Sequence, residues 1–209
     1  MCGKPKTEGS LYDIMLGDDP LCSDCRKALP IHRKKLLVDG VKGESFYRYP
    51  DMSRILLQYK ECGDEALKDV FLYPLRRRLH YRYAGYTMVL MPSSKEKREM
   101  RGFSHVWSMF AQCGLPMIEP FYKKINVDQK EHTAKDREKI RGMIGILPDI
   151  ELPANLLLCD DVITTGSTLR AALSCLSKED HELRILTCAY TEKHTAVHSH
   201  VLLKQTDMG

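Results

Sequence analysis

The chain has 209 residues, 43% of them apolar and 29% charged. That suits one α/β domain of ordinary size with a small appendage, and it argues against global disorder. No apolar run approaches the roughly 18 residues of a membrane span and the start shows no signal-peptide pattern, so the eight cysteines read as thiols of a cytoplasmic protein rather than a disulfide framework.

A net charge of +4 permits phosphate-rich partners without showing nucleic-acid binding. Residues 1–42 read as a cysteine-containing, zinc-ribbon-like segment with a basic connector, and residues 43–209 as the main domain. Leu21-Cys22-Ser23-Asp24-Cys25 is a C-x-x-C knuckle that can offer two thiolates to one tetrahedral zinc. Cys2, just before Gly3, stands where the second cysteine of another knuckle would lie, and its own partner would fall before Met1. His32 and Cys62 are candidates for a fourth ligand by residue type alone. A metal is the natural source of stability for so short a unit; the alternative is a loop with unligated thiols. From Arg26 to Lys42 the basic residues Arg26, Lys27, Arg33, Lys34, Lys35 and Lys42 face Asp39 alone. This is a solvated connector or, alternatively, a contact to nucleic-acid backbone.

Gly43 to Tyr49 alternates and carries aromatics, as a strand does. Pro50 opens a helical stretch in which Ile55, Leu56 and Tyr59 recur at helix spacing. Gly63 is a helix stop and Asp64 an N-cap for the next helix. Val70, Leu72, Leu75 and Leu79 continue that second helix, whose outer face holds Arg76, Arg77, Arg78 and Arg82. No acid occurs between Leu75 and Tyr86. The patch is either a basic binding surface or a solvated helix C-terminus favoured by the dipole.

Tyr86 to Met91 is the first clear core strand. Pro92-Ser93-Ser94-Lys95 follows at its carboxyl end, where open parallel sheets bind ligands. A helix from His105 to Gln112 has Trp107, Phe110 and Ala111 as its core face, and Gly114 stops it. Met117 to Tyr122 is the second strand. Lys123 to Arg141 is polar and mixed in charge. Gly142 to Leu147 is the third strand, Leu156 to Cys159 the fourth and Leu183 to Tyr190 the fifth. Strands alternating with helices give a parallel α/β sheet. The tail with His194, His198 and His200 reads as a final strand or a loose end, not a metal site.

The stretch from Asn155 to Thr168 carries the chemistry. A buried strand leads into Asp160 and Asp161, then Val162 and Ile163, then Thr164-Thr165-Gly166-Ser167-Thr168 and a helix from Leu169 to Leu176. Loop amides and hydroxyls at a helix N-terminus bind a phosphate dianion, and Gly166 allows close approach. The carboxylates would accept hydrogen bonds from sugar hydroxyls or help hold a divalent metal. The bland alternative is a buried strand followed by a polar turn.

This segment resembles the signature of the type I phosphoribosyltransferases, which bind 5-phosphoribosyl-1-diphosphate (PRPP). The resemblance implies a phosphoribosyltransferase-like parallel sheet flanked by helices, with Mg2+ and PRPP held at Asp160, Asp161 and Thr164 to Thr168. Ser93, Ser94 and Lys95 sit where that family places its diphosphate loop. Lys123 to Arg141 fits its flexible lid, which would exclude water and neutralise the departing diphosphate, or else an exposed helix laced with charge pairs. The wider order of motifs resembles the ComF family. These are the cysteine knuckle, Tyr59-Lys60-Glu61-Cys62-Gly63-Asp64, Met91-Pro92, Arg98-Glu99-Met100-Arg101-Gly102-Phe103-Ser104, Gln129, Arg137 and Cys159-Asp160-Asp161-Val162 with the TTGST loop. The departures are the missing first cysteine and Ser104-His105, where the family commonly shows Asn-Gln. The resemblance implies service in competence, with single-stranded DNA and the DNA-uptake machinery as partners; by their charge, Lys60, Arg76, Arg77, Arg98 and Arg101 are the candidate contacts to DNA. The alternative is a metabolic enzyme that transfers phosphoribosyl from PRPP to a nitrogen nucleophile through an oxocarbenium-like state.

Overall fold

The apolar run at Leu156–Cys159 becomes the middle of a sheet. The structure is a computed structural model that describes Asp19, residues 21–93, Glu99, residues 102–123 and residues 144–192. Its strands are β1 (Lys34–Val38), β2 (Val41–Arg48), β3 (Thr87–Leu90), β4 (Met117–Ile118), β5 (Phe121–Lys123), β6 (Ile144–Ile146), β7 (Asn155–Ile163) and β8 (Glu182–Tyr190). The main sheet has the order β1-β2-β8-β7-β3-β4, and β5 pairs with β6 apart from it. From β2 across to β4 every pairing is parallel; β1 runs antiparallel to β2 at one edge. A mixed, mostly parallel sheet flanked by helices is the architecture the resemblance implied. Among the described residues no helix is long and apolar enough to cross a membrane.

Side chains of β7 alternate between two cores, as the two-residue period of a strand requires. Leu157 and Cys159 join Phe46, Tyr47, Met52, Tyr59, Phe71 and Phe110 on one face. Leu156 and Leu158 join Val89, Ile185 and Leu169 on the other. The helices are α1 (Ser23–Lys27), α2 (Tyr49–Glu61), α3 (Lys68–Leu72), α4 (Arg76–Arg82), α5 (His105–Phe110) and α6 (Ser167–Leu173). Pro50 sits in the first turn of α2, where its missing N–H costs nothing.

Several expectations change. Residues 34–38, expected within a solvated connector, form the edge strand β1, because Asp39 and Gly40 take positive φ (47° and 82°) and close a tight hairpin onto β2. The single helix expected from Val70 to Leu79 breaks at Pro74 into α3 and α4 with a 3-10 turn between them, although Val70, Leu72, Leu75 and Leu79 are all buried. Asp64 stands at the N-cap of a 3-10 turn, Glu65–Leu67, but makes no side-chain cap bond; its carboxylate accepts a 2.9 Å bond from Gln58 Nε2. On α5 the buried face is His105, Val106, Met109 and Phe110, so of the expected core residues Trp107 and Ala111 point outward. The expected strand Met117–Tyr122 divides at Pro120, which has no N–H for the ladder. Its second half, β5, leaves the main sheet to pair antiparallel with β6, the expected third strand.

The amino-terminal part is held to the helical layer by charge. Arg26 is buried and donates through Nε and Nη2 to both oxygens of Asp19 (2.9 and 2.6 Å) and through Nη1 to the Val70 carbonyl (2.6 Å).

Candidate functional site

Parallel pairing of β3 with β7 ends at Leu90 opposite Cys159. β7 runs on for four more residues, still paired with β8 as far as Ile163 opposite Tyr190. The strand order also reverses here, since β3 leads to β4 on one side while β7 lies on the other. Such a switch point opens a crevice at the carboxyl ends of the strands. Asp160 and Asp161 are the first two residues beyond the shared ladder, so they lie inside a long strand rather than after a short one.

Asp161 is in phase with Leu157 and Cys159 and faces α2 and α5. Lys60 Nζ from α2 forms an ion pair with Asp161 Oδ2, and His105 Nε2 from the start of α5 lies 2.6 Å from the same oxygen. A carboxylate at Nε2 favours the tautomer protonated there. In the neutral ring Nδ1 then accepts from Ser93 Oγ, 3.3 Å away on the loop after β3. Tyr59, the neighbour of Lys60, fixes the arrangement: its hydroxyl donates to the His105 carbonyl at 2.7 Å. The Tyr59 ring packs between Phe71 and Phe103 at centroid distances of 5.2 and 5.5 Å. Burial raises the phenol pKa far above its ordinary value, so it stays a donor.

The two carboxylates differ in their environment. Burial raises the pKa of Asp161, but the His105 hydrogen bond and the Lys60 charge outweigh it and hold the group below its ordinary range. Asp160 is pushed well upward by burial and then by the Asp161 charge, with Lys60 offsetting only part. Asp160 Oδ1 accepts the Asp161 backbone N–H at 2.9 Å. One acid is thus an anchored anion and the other an acid that resists ionising.

These groups line a cleft of about 230 Å³ together with Met91, Lys123 and Thr168. At its edge the turn from Thr164 to Thr168 is held by its own bonds. Thr165 Oγ1 donates to Ser167 Oγ at 3.1 Å and accepts the Ser167 N–H at 3.4 Å. Arg170 Nη1 donates to the Thr165 carbonyl at 2.8 Å. Gly166 adopts φ 72°, the left-handed geometry a side chain would disfavour, and starts α6.

No family model matches the chain. Competence protein ComFC of Bacillus subtilis (strain 168) is 27% identical over 180 residues, 84% of this chain and 70% of that protein. Competence protein ComFC of Streptococcus pneumoniae (strain ATCC BAA-255 / R6) is 27% identical over 143 residues, 66% of this chain and 63% of that protein. The chain is similar to ComF-type phosphoribosyltransferase-like proteins. Among solved structures, orotate phosphoribosyltransferase from Aeropyrum pernix aligns with 81% of this chain and 91% of its own at 15% identity and a TM-score of 0.30. At that overlap the architecture rests on the strand order above.

In this chain Asp160, Asp161, Ser93 and Thr168 meet at one cleft, with Thr164, Thr165, Gly166 and Ser167 in the adjoining turn. Lys60, expected as a DNA contact, lines the cleft and pairs with Asp161. Arg76 covers the Tyr73 ring at 3.4 Å, and Arg77 is exposed on α4. Ser94, Lys95, Arg98, Arg101 and Cys2 lie outside the described residues, as do the histidines of the tail and all of the expected lid except Lys123. Cys22 precedes α1 and Cys25 lies within it. Among the described residues no group of three ligating side chains is placed to hold a metal, so neither His32 nor Cys62 completes such a group there.

Two residues escaped the sequence reading. His105 was visible only as a departure from the family pattern. Glu44 stood as a lone acid in an apolar strand. It is buried on β2 and accepts from Arg33 Nε (2.5 Å), Arg82 Nε (2.9 Å) and the Tyr83 hydroxyl (2.8 Å). An acid in a core strand upstream of an arginine-rich helix was the signal that could have found it.

Proposed function

We propose that the cleft binds PRPP or a related phosphosugar, and that the protein serves competence by handling single-stranded DNA. The observation that carries the first part is the acid pair at the switch point beside a preformed Thr/Gly/Ser turn. Asp160 and Asp161 would take ribose hydroxyls. The amides and hydroxyls of Thr164 to Thr168 would take the 5-phosphate, and Ser93 and Lys123 would face the diphosphate. The competence part draws on the names of the two relatives. The surface that suits it is α4, where Arg77 and the 78% exposed Tyr81 lie four residues apart on one side. A cation beside an exposed ring is what a base-stacking, phosphate-tracking site uses.

Titration of purified protein with PRPP tests the first part. Asp160→Ala and Thr165→Ala should each weaken binding by about tenfold or more, a loss of about 1.4 kcal/mol; unchanged affinity in both variants would sink the assignment. Titration with a single-stranded oligonucleotide over a range of salt tests the second, with a steep salt slope expected and a loss on Tyr81→Ala. A zinc ion held by Cys2, Cys22 and Cys25 belongs to the same proposal, and a metal count per chain checks it.

A further inference from the structure

The expected magnesium raises a question that the geometry of Asp161 answers. A divalent ion bound directly by the acid pair needs open carboxylate oxygens in near-octahedral geometry at about 2.0–2.1 Å. Asp161 Oδ2 already carries the Lys60 ammonium and the His105 imidazole nitrogen. Neither group is a loose surface side chain. His105 is 7% exposed, and its carbonyl is bonded to buried Tyr59. Lys60 follows Tyr59 on α2, and its side chain is 21% exposed. A metal at Asp161 Oδ2 would have to displace a cation that the fold itself delivers, and one at the other oxygen of the same carboxylate would sit against that cation's charge. The donor set does not fit a directly held divalent ion there.

We propose that Lys60 is a resident cation that does the charge neutralisation expected of magnesium, so that the phosphosugar binds without a metal ion. A lysine ammonium is a three-donor point charge, so holding Asp161 does not exhaust it. Lys60 lines the cleft next to Asp160, Ser93 and Thr168, where an anionic ligand would lie. From that place it neutralises Asp161, which would otherwise repel the ligand, and offers a donor to a ligand oxygen. His105 holds the same oxygen from the opposite element and keeps Asp161 in register with it. Lys60 is therefore a ligand-binding residue of the cleft rather than part of a DNA surface. This inference rests on the phosphosugar reading.

The test is calorimetric titration with PRPP in excess EDTA and in excess Mg2+. The wild-type protein should bind in EDTA within about threefold of its affinity in Mg2+, and Lys60→Met should lose at least about tenfold in EDTA and recover most of it in Mg2+. Titration of the unliganded protein with Mn2+ gives a second readout: no saturable site in the wild type, and a new one in Lys60→Met, where Asp161 has lost its ammonium. Lys60→Gln and a thermal melt guard against a variant that fails to fold, and the wild-type comparison needs no variant at all. Wild-type binding that falls tenfold or more in EDTA overturns the inference while leaving the phosphosugar reading intact. So does Lys60→Met binding in EDTA as the wild type does. No PRPP binding under either condition overturns the phosphosugar reading, and the inference with it.

Discussion

Asp160→Asn should make the protein more stable while weakening its ligand site. Asp160 sits beside ionised Asp161 in a cleft wall, and its folded pKa lies well above the ordinary 3.8 because of burial and then that neighbour. Two neighbouring carboxylates in an effective dielectric near 20 repel by roughly 2–4 kcal/mol. Lys60 offsets part of this, and cleft water softens the rest, leaving about 1–2 kcal/mol, in the range typical of functional-site stabilisation. Asparagine removes the charge and keeps an oxygen to accept the Asp161 N–H. For a chain of this size the gain corresponds to a Tm rise of roughly 2–8 °C. Because the folded pKa is raised, the stability Asp160 contributes is fully present below 3.8 and is lost as pH rises through the folded value. Asp161 has the opposite sign: its contribution is present above 3.8 and is lost only as pH falls through its lowered folded value, so it adds no slope near neutrality. Melts followed by circular dichroism at about pH 5 and about pH 7.5 separate the cases, since the variant's advantage should grow with pH. A variant that melts below the wild type at the higher pH, or with the same advantage at both, refutes the electrostatic reasoning.

Other expected outcomes are structural. Glu44→Ala should destabilise by about 2–3 kcal/mol, below the value for a fully buried pair because its arginines are partly exposed, and it leaves the buried Tyr83 hydroxyl without this acceptor. Glu44→Gln should lose less; urea melts that place both within experimental error of the wild type would show that this cluster does not tie β2 to α4. Gly43→Ala should cost on the order of 1–3 kcal/mol. A Cβ there would meet the Ile185 carbonyl oxygen at 2.5 Å across the β2–β8 pairing, and a neutral result would mean these strands can move apart.

The sheet was legible because its strands are apolar runs of strand length, and runs such as Leu156–Cys159 become buried on both faces. The acid pair and the Thr/Gly/Ser turn were legible because the ligand chemistry they suit is local in sequence. What stayed hidden is what long-range packing decides. Asp39-Gly40 is a strong hairpin signal, yet its value depends on β2 having a partner edge. Pro120 and Pro74 each divide an element that periodicity alone would continue. Trp107 looks like a core residue by type, but the face of α5 is set by His105, Val106, Met109 and Phe110.

Lys60 shows the same limit at the site. A lysine in a mixed-charge stretch after apolar Ile55, Leu56 and Tyr59 has no sequence mark that separates a solvated cation from a buried partner. The mark lies one residue earlier. Tyr59 is fully buried, with its ring against Phe71 and Phe103 and its hydroxyl on the His105 carbonyl. Once Tyr59 is pinned, the helix geometry that sets Lys60 about 100° further round the axis fixes where its ammonium can reach, and that place is Asp161. His105 is anchored by the same hydroxyl and meets the same oxygen. One buried phenol therefore aligns both hydrogen-bonding partners of the acid, so the arrangement of the cleft depends on an aromatic contact in the core.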